Sequence, residues 1–144
     1  MLVIWGCVLI ALGGLAWCGQ VVSAVSHKCA TRMGLSEPEE SIDSAFYADV
    51  RGEAVWDSLV LWTLPVAGVL ALMDSAWWPH LGLIGGAMYA YFAGRGIFQR
   101  KVMQRRGIRI GETAQLRAVY TFLGIWGLAG VITIALALRE LAEF

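Results

Sequence analysis

Seven of the chain's eleven basic residues fall between positions 95 and 117: Arg95, Arg100, Lys101, Arg105, Arg106, Arg109 and Arg117, against a single acid, Glu112. Guanidinium groups present forked donors that match carboxylates and phosphates. Such a cluster is therefore the first place to look for an anionic ligand. Three uses are open to it. It can set membrane orientation and touch anionic lipid, because Lys and Arg stay on the cytoplasmic side. It can hold an anionic ligand at the mouth between helices, or it can bind a partner protein.

A second constellation is Glu53 with Asp57, one helical turn apart. Paired carboxylates at this spacing can bind a metal or share a proton. The two histidines, His27 and His80, are expected on opposite membrane faces, so neither pair gains both as ligands. No metal site is expected. The plainer reading is a solvated helix start, with Asp57 near Arg51 or another basic group. His80, beside Trp78 and Pro79, reads as an interfacial residue. Cys7, Cys18 and Cys29 match no zinc or redox spacing. On one helix they would stand roughly 16 Å apart along the axis, too far for a disulfide. The sequence holds no nucleophile elbow, phosphate loop or zinc motif.

The elements that must position these residues are apolar. The chain of 144 residues is 58% hydrophobic and 15% charged, where a soluble domain carries about 25% charged residues. This points to a single membrane domain, residues 1–144. Net charge is zero, so a nucleic-acid partner is not expected. Four spans are expected, at about 2–23, 54–73, 77–98 and 118–138, each near the ~20 apolar residues that cross a bilayer. The first has a rival reading as a cleaved signal peptide, with Val22-Ser23-Ala24 resembling a cleavage site. The basic n-region of such peptides is missing, so a retained span is expected. Cytoplasmic loops of about 24–53 and 99–117 then connect the spans. Both termini lie outside, and ten of eleven Lys/Arg lie inside, with Arg139 the exception. The deep positions carry no charged relay, so an ion pump is not favoured.

Ser36 with Glu39 has the form of a capping box; the stretch reads either as a short amphipathic helix that runs into the second span with a bend at Gly52, or as an ordinary solvated connector. Pro65 should kink the second span and free a backbone carbonyl. Asp74-Ser75 should turn tightly outside, with Trp77 and Trp78 at the interface. Gly82, Gly86, Ala90 and Gly94 form a ridge of small residues for close helix approach, and Gly124, Gly127 and Gly130 form another.

This arrangement of spans and loops resembles the MAPEG superfamily, the membrane-associated proteins of eicosanoid and glutathione metabolism. The closest stretch is Tyr89-Ala90-Tyr91-Phe92-Ala93-Gly94-Arg95-Gly96-Ile97-Phe98, similar to the family's aromatic third helix ending in Gly-Arg. Residues Leu116 to Phe144 are similar in character to the last helix and acidic tail of microsomal glutathione transferases. The resemblance implies an all-α, integral membrane four-helix bundle assembled as a homotrimer. It implies glutathione between subunits near the cytoplasmic face, with lipophilic substrates entering from the bilayer. Arg51 matches the arginine before the second span and Arg95 the one ending the third helix; both would bind the cosubstrate. Arg109 matches the arginine that activates the thiol, the catalytic role. The family's Asn and Glu correspond here to about Val55 and Ser58, and two of its tyrosines to Phe98 and Val102.

The function implied is a glutathione-dependent transferase or peroxidase acting on lipophilic electrophiles. The alternative is a non-catalytic structural or accessory membrane subunit. A small-molecule transporter is a weaker third reading. A multi-pass position, taken as the bacterial inner membrane, is the expected location.

Overall fold

A computed structural model describes residues 2–143 and is built from helices, with no strand among those residues. Their order is α1 (Leu2–Val25), α2 (His27–Arg32), a single 3-10 turn (Glu39–Ser41), α3 (Ser44–Val60), α4 (Thr63–Leu72), α5 (Trp78–Arg105) and α6 (Thr113–Ala142). Helix α1 packs on α3 and α4, α4 on α5, and α5 on α6.

Three helices are long and apolar enough to cross a membrane: α1, the combined Ser44–Leu72 segment, and α6. Helix α5, with 28 residues, spans roughly 42 Å at the usual rise. It is richer in glycine and ends in Arg95, Arg100, Lys101 and Arg105, and is not among the three. The outer faces are apolar. On α6, Phe122, Ile125, Leu128, Val131, Ile132 and Leu138 are all exposed. So continuous an apolar surface suits lipid better than water.

One end of the bundle gathers Leu2, Ala71, Trp78, Leu136 and Ala137. The other gathers Ile42, Phe46, Ile110 and Leu116. Residues 26–43 and 106–112 therefore share an end. They are tied by an antiparallel bridge between Ile42 and Ile110 and by the Asp43 N–H donating to the Arg109 carbonyl at 2.9 Å.

The glycine ridges close on one another inside the chain. A Cβ on Gly86 would lie 2.7 Å from the Gly130 carbonyl oxygen, and one on Gly130 would lie 2.6 Å from the Gly86 oxygen. Gly6 and Gly68 make the same crossing between α1 and α4, at 2.9 and 2.8 Å. These close approaches hold α1 on α4 and α5 on α6. Gly94, at the end of the ridge, has nothing within 4 Å.

Helix α3 does not start at Ser36, and it is unbroken at Gly52. Residues 42 and 43 are held extended by the pairing with 109 and 110, so the helix begins after Asp43. Ser36 instead lies 3.5 Å from Ser23, and the helix runs through Gly52 to Val60. A short helix, α2, capped by Ser26 onto the Cys29 N–H, carries Cys29, so the three cysteines do not share one helix.

The break comes at Leu61-Trp62, one turn before Pro65. Proline has no N–H, and its ring pushes away the carbonyl four residues back. A helix end leaves its last four carbonyls without helical donors, which an apolar interior does not tolerate. Each of the four accepts from a side chain here. Trp17 Nε1 donates to Ser58 O at 2.9 Å, Trp62 Nε1 to Leu59 O at 2.9 Å, and Thr63 Oγ1 to Val60 O at 2.8 Å. The Tyr89 hydroxyl, fully buried, lies 3.1 Å from Leu61 O and 2.7 Å from Gly13 O. Met73 to Trp77 then make the turn, with Asp74 at φ 50°, a left-handed position that Asp accepts more readily than most residues. Trp77 is exposed at the bundle end, whereas Trp78 is buried against Ala71 and Ala137 rather than facing an interface.

Candidate functional site

Asp49, Glu53 and Asp57 repeat every fourth residue along α3, so they line one face. That face meets α5 where Arg95 and Arg100 project. Arg95 Nη2 sits 3.0 Å from Asp49 Oδ1, and its Nη1 sits 3.0 Å from Glu53 Oε1. Arg100 Nη2 lies 3.9 Å from Glu53 Oε2, and its Nη1 donates to the Gly96 carbonyl at 3.0 Å. The Arg100 guanidinium also stands 5.5 Å over the Phe46 ring, within cation–π range.

Two of the acids are deeply buried: Glu53 is 7% exposed and Asp57 5%. Neither is the solvated helix start read from the sequence. Asp57 faces the Arg95 side rather than Arg51, and its Oδ2 has no hydrogen-bond partner. A cavity of about 200 Å³ opens beside it, walled by Trp56, Tyr91 and Phe92 and bordered by Arg95.

The three arginines singled out by resemblance each hold a partner of their own. Arg51 reaches back to α1, donating to the Ser23 carbonyl and, at 3.1 Å, to the Ala24 carbonyl. These belong to the last turn of α1, so Arg51 satisfies a helix end. Arg95 joins the acids of α3. Arg109 is clamped reciprocally to Asp43: its backbone N–H donates to Oδ2 at 2.6 Å and its Nε to Oδ1 at 3.2 Å. The Arg109 N–H, and then its guanidinium, hold the Asp43 carboxyl below its ordinary value. Among the described residues, no hydrogen bond or ion pair links the three arginines to one another. Val55, Phe98 and Val102 are exposed.

Arg100 was not singled out by the sequence, where it read as one more basic residue of the loop. The four-residue spacing of Asp49, Glu53 and Asp57 was the available signal: a stripe of acids on one helix face calls for a basic stripe opposite. Lys101, Arg105, Arg106 and Arg117 are exposed and make no salt bridge among the described residues. No three His, Cys, Asp or Glu side chains among the described residues group to hold a metal.

Fold and site together define a helical protein with three helices able to cross a membrane, carrying a charge network buried at one end. No family model, curated protein or solved structure matches the chain.

Proposed function

We propose that this chain is a multi-pass membrane protein acting as a non-catalytic structural or accessory subunit. Its crossings are α1, the broken α3–α4 helix, α5 and α6, with the polar end in the cytoplasm and both termini outside. The basic residues support this orientation: ten of the eleven Lys/Arg belong to the segments that meet at the polar end. The observation that carries the non-catalytic reading is that Arg51, Arg95 and Arg109 are all engaged within the chain. A guanidinium that caps α1 or neutralises Glu53 must give up that role to bind a peptide carboxylate.

The second reading is the glutathione-dependent transferase or peroxidase, as part of a homotrimer in an inner membrane of bacterial type. One feature favours it. Arg95 borders a cavity near the polar end, beside the exposed Trp56 and Tyr91 through which a lipophilic molecule could approach. There, Arg109 would hold a thiolate and Arg51 and Arg95 the carboxylates.

Equilibrium dialysis of millimolar glutathione against the purified protein in a neutral detergent separates the two. The accessory reading expects no saturable binding. Saturable binding that Arg95→Ala and Arg109→Ala both abolish overturns it in favour of the transferase. Native mass measurement of the same sample gives the oligomer, with a trimer expected on the resemblance.

A further inference from the structure

The acid face of α3 carries one more charge than α5 neutralises. Asp49, Glu53 and Asp57 face Arg95 and Arg100, and the two guanidiniums are directed at Asp49 and Glu53. The unmatched carboxylate is Asp57, 5% exposed, which lines the cavity and whose Oδ2 is buried without a partner. An unpaired ionised group in such a place is strongly unfavourable. Something positive or proton-donating belongs beside it.

The surroundings narrow what that is. A hard divalent ion needs six or more oxygen ligands, and no metal-holding group forms among the described residues. An anion meets a site that is already acidic in excess. Besides Gly52, Glu53 and the Glu53-paired Arg95, the remaining walls are aromatic: Trp56 and Tyr91 are exposed and Phe92 is buried. Aromatic faces beside a carboxylate suit an organic cation, through charge and cation–π attraction together. Gly52 has no neighbour within 4 Å of a Cβ position, leaving the cavity rim unobstructed on that side. At about 200 Å³ the cavity suits a small head group and falls short of the usual drug-sized pocket. The exposed Trp56 and Tyr91 on its wall offer an apolar surface for a tail.

We propose that the cavity beside Asp57 binds a lipophilic organic monocation, with an ammonium-type head against Asp57 and the ring faces of Trp56, Tyr91 and Phe92. This goes beyond the accessory-subunit reading and does not depend on it. Arg95 and Arg100 tune the site, holding the other two acids so that the cavity accepts one positive charge and not several.

The test uses the full chain purified in a maltoside detergent, with benzyltrimethylammonium as the probe and its uncharged isostere neopentylbenzene as the control. Calorimetry should give saturable binding at one probe per chain, which neopentylbenzene does not displace. Asp57→Asn, nearly isosteric, should weaken the probe about tenfold or more. Trp56→Leu, on the exposed wall, should weaken it about threefold or more and carries the test should Asp57→Asn fail to fold. Three results overturn the proposal: no saturable binding to the wild type, as when a protonated Asp57 serves only the fold; equal competition by the neutral isostere; or wild-type affinity in either variant.

Discussion

Tyr89→Phe removes one oxygen atom from the centre of the bundle, and the structure says what that atom does. Its proton serves Leu61 O, 3.1 Å away, and Gly13 O, 2.7 Å away. Gly13 lies inside α1, where its carbonyl has a helical donor. Leu61 O has none, because the residue four positions on is Pro65. Loss of the hydroxyl therefore leaves one carbonyl unsatisfied in an apolar interior, a penalty of about 2 kcal/mol within the usual 1–3 range. The penalty should depend on the proline. In a Pro65→Ala background the new N–H can reach Leu61 O, and Tyr89→Phe should then cost only about 0.5 kcal/mol, a coupling of roughly 1.5 kcal/mol. Reversible unfolding of the four proteins in mixed micelles of maltoside and dodecyl sulfate, followed by circular dichroism, measures the cycle. An equal cost in both backgrounds would refute the assignment of Tyr89 as the donor replacing the Pro65 N–H.

Two further outcomes follow from the packing and the polar end. Gly86→Ala places a methyl 2.7 Å from the Gly130 carbonyl oxygen, which only a backbone shift relieves. It should destabilise by about 1–3 kcal/mol in the same unfolding assay, while Gly94→Ala, with open space around it, should be neutral or slightly stabilising. At the polar end, the Asp43 carboxyl is lowered first by the Arg109 N–H and then by its guanidinium. Its contribution is complete above the ordinary value of 3.8 and is lost as pH falls through the lower folded value. Hydrogen exchange at the Arg109 amide, corrected for its intrinsic pH dependence, should lose protection only below about pH 4, and in Asp43→Asn the pH dependence should disappear.

Much of the fold was legible because apolar length and chain punctuation act locally. Pro65 announced a break, since a missing N–H disrupts a helix whatever surrounds it. Asp74-Ser75 announced the turn for the same local reason. Ser36 misled because a capping box is a local preference, and the pairing of Ile42 and Asp43 with Arg109 and Ile110 overrode it. Gly86 and Gly130 were visible as close-approach residues, but the sequence did not say that each is the other's partner. The site was less legible. Arg95 stood out, yet its partners lie on α3, and Arg100 looked like any other loop arginine.

The basic stretch from Arg95 to Arg117 shows where the division lies. Composition by itself pointed to an apolar, helical chain with charge gathered in two segments; of the four spans it suggested, three lie in helices long and apolar enough for a membrane. These follow from hydropathy and periodicity, which each residue carries wherever it sits. Only the tertiary structure decided which charges meet. It turned Arg51 onto the end of α1, clamped Arg109 to Asp43, and set Arg95 and Arg100 against Asp49 and Glu53. It left Asp57 buried without a partner. Burial and pairing depend on the neighbour that a second helix brings, and a single sequence does not state which helix faces which.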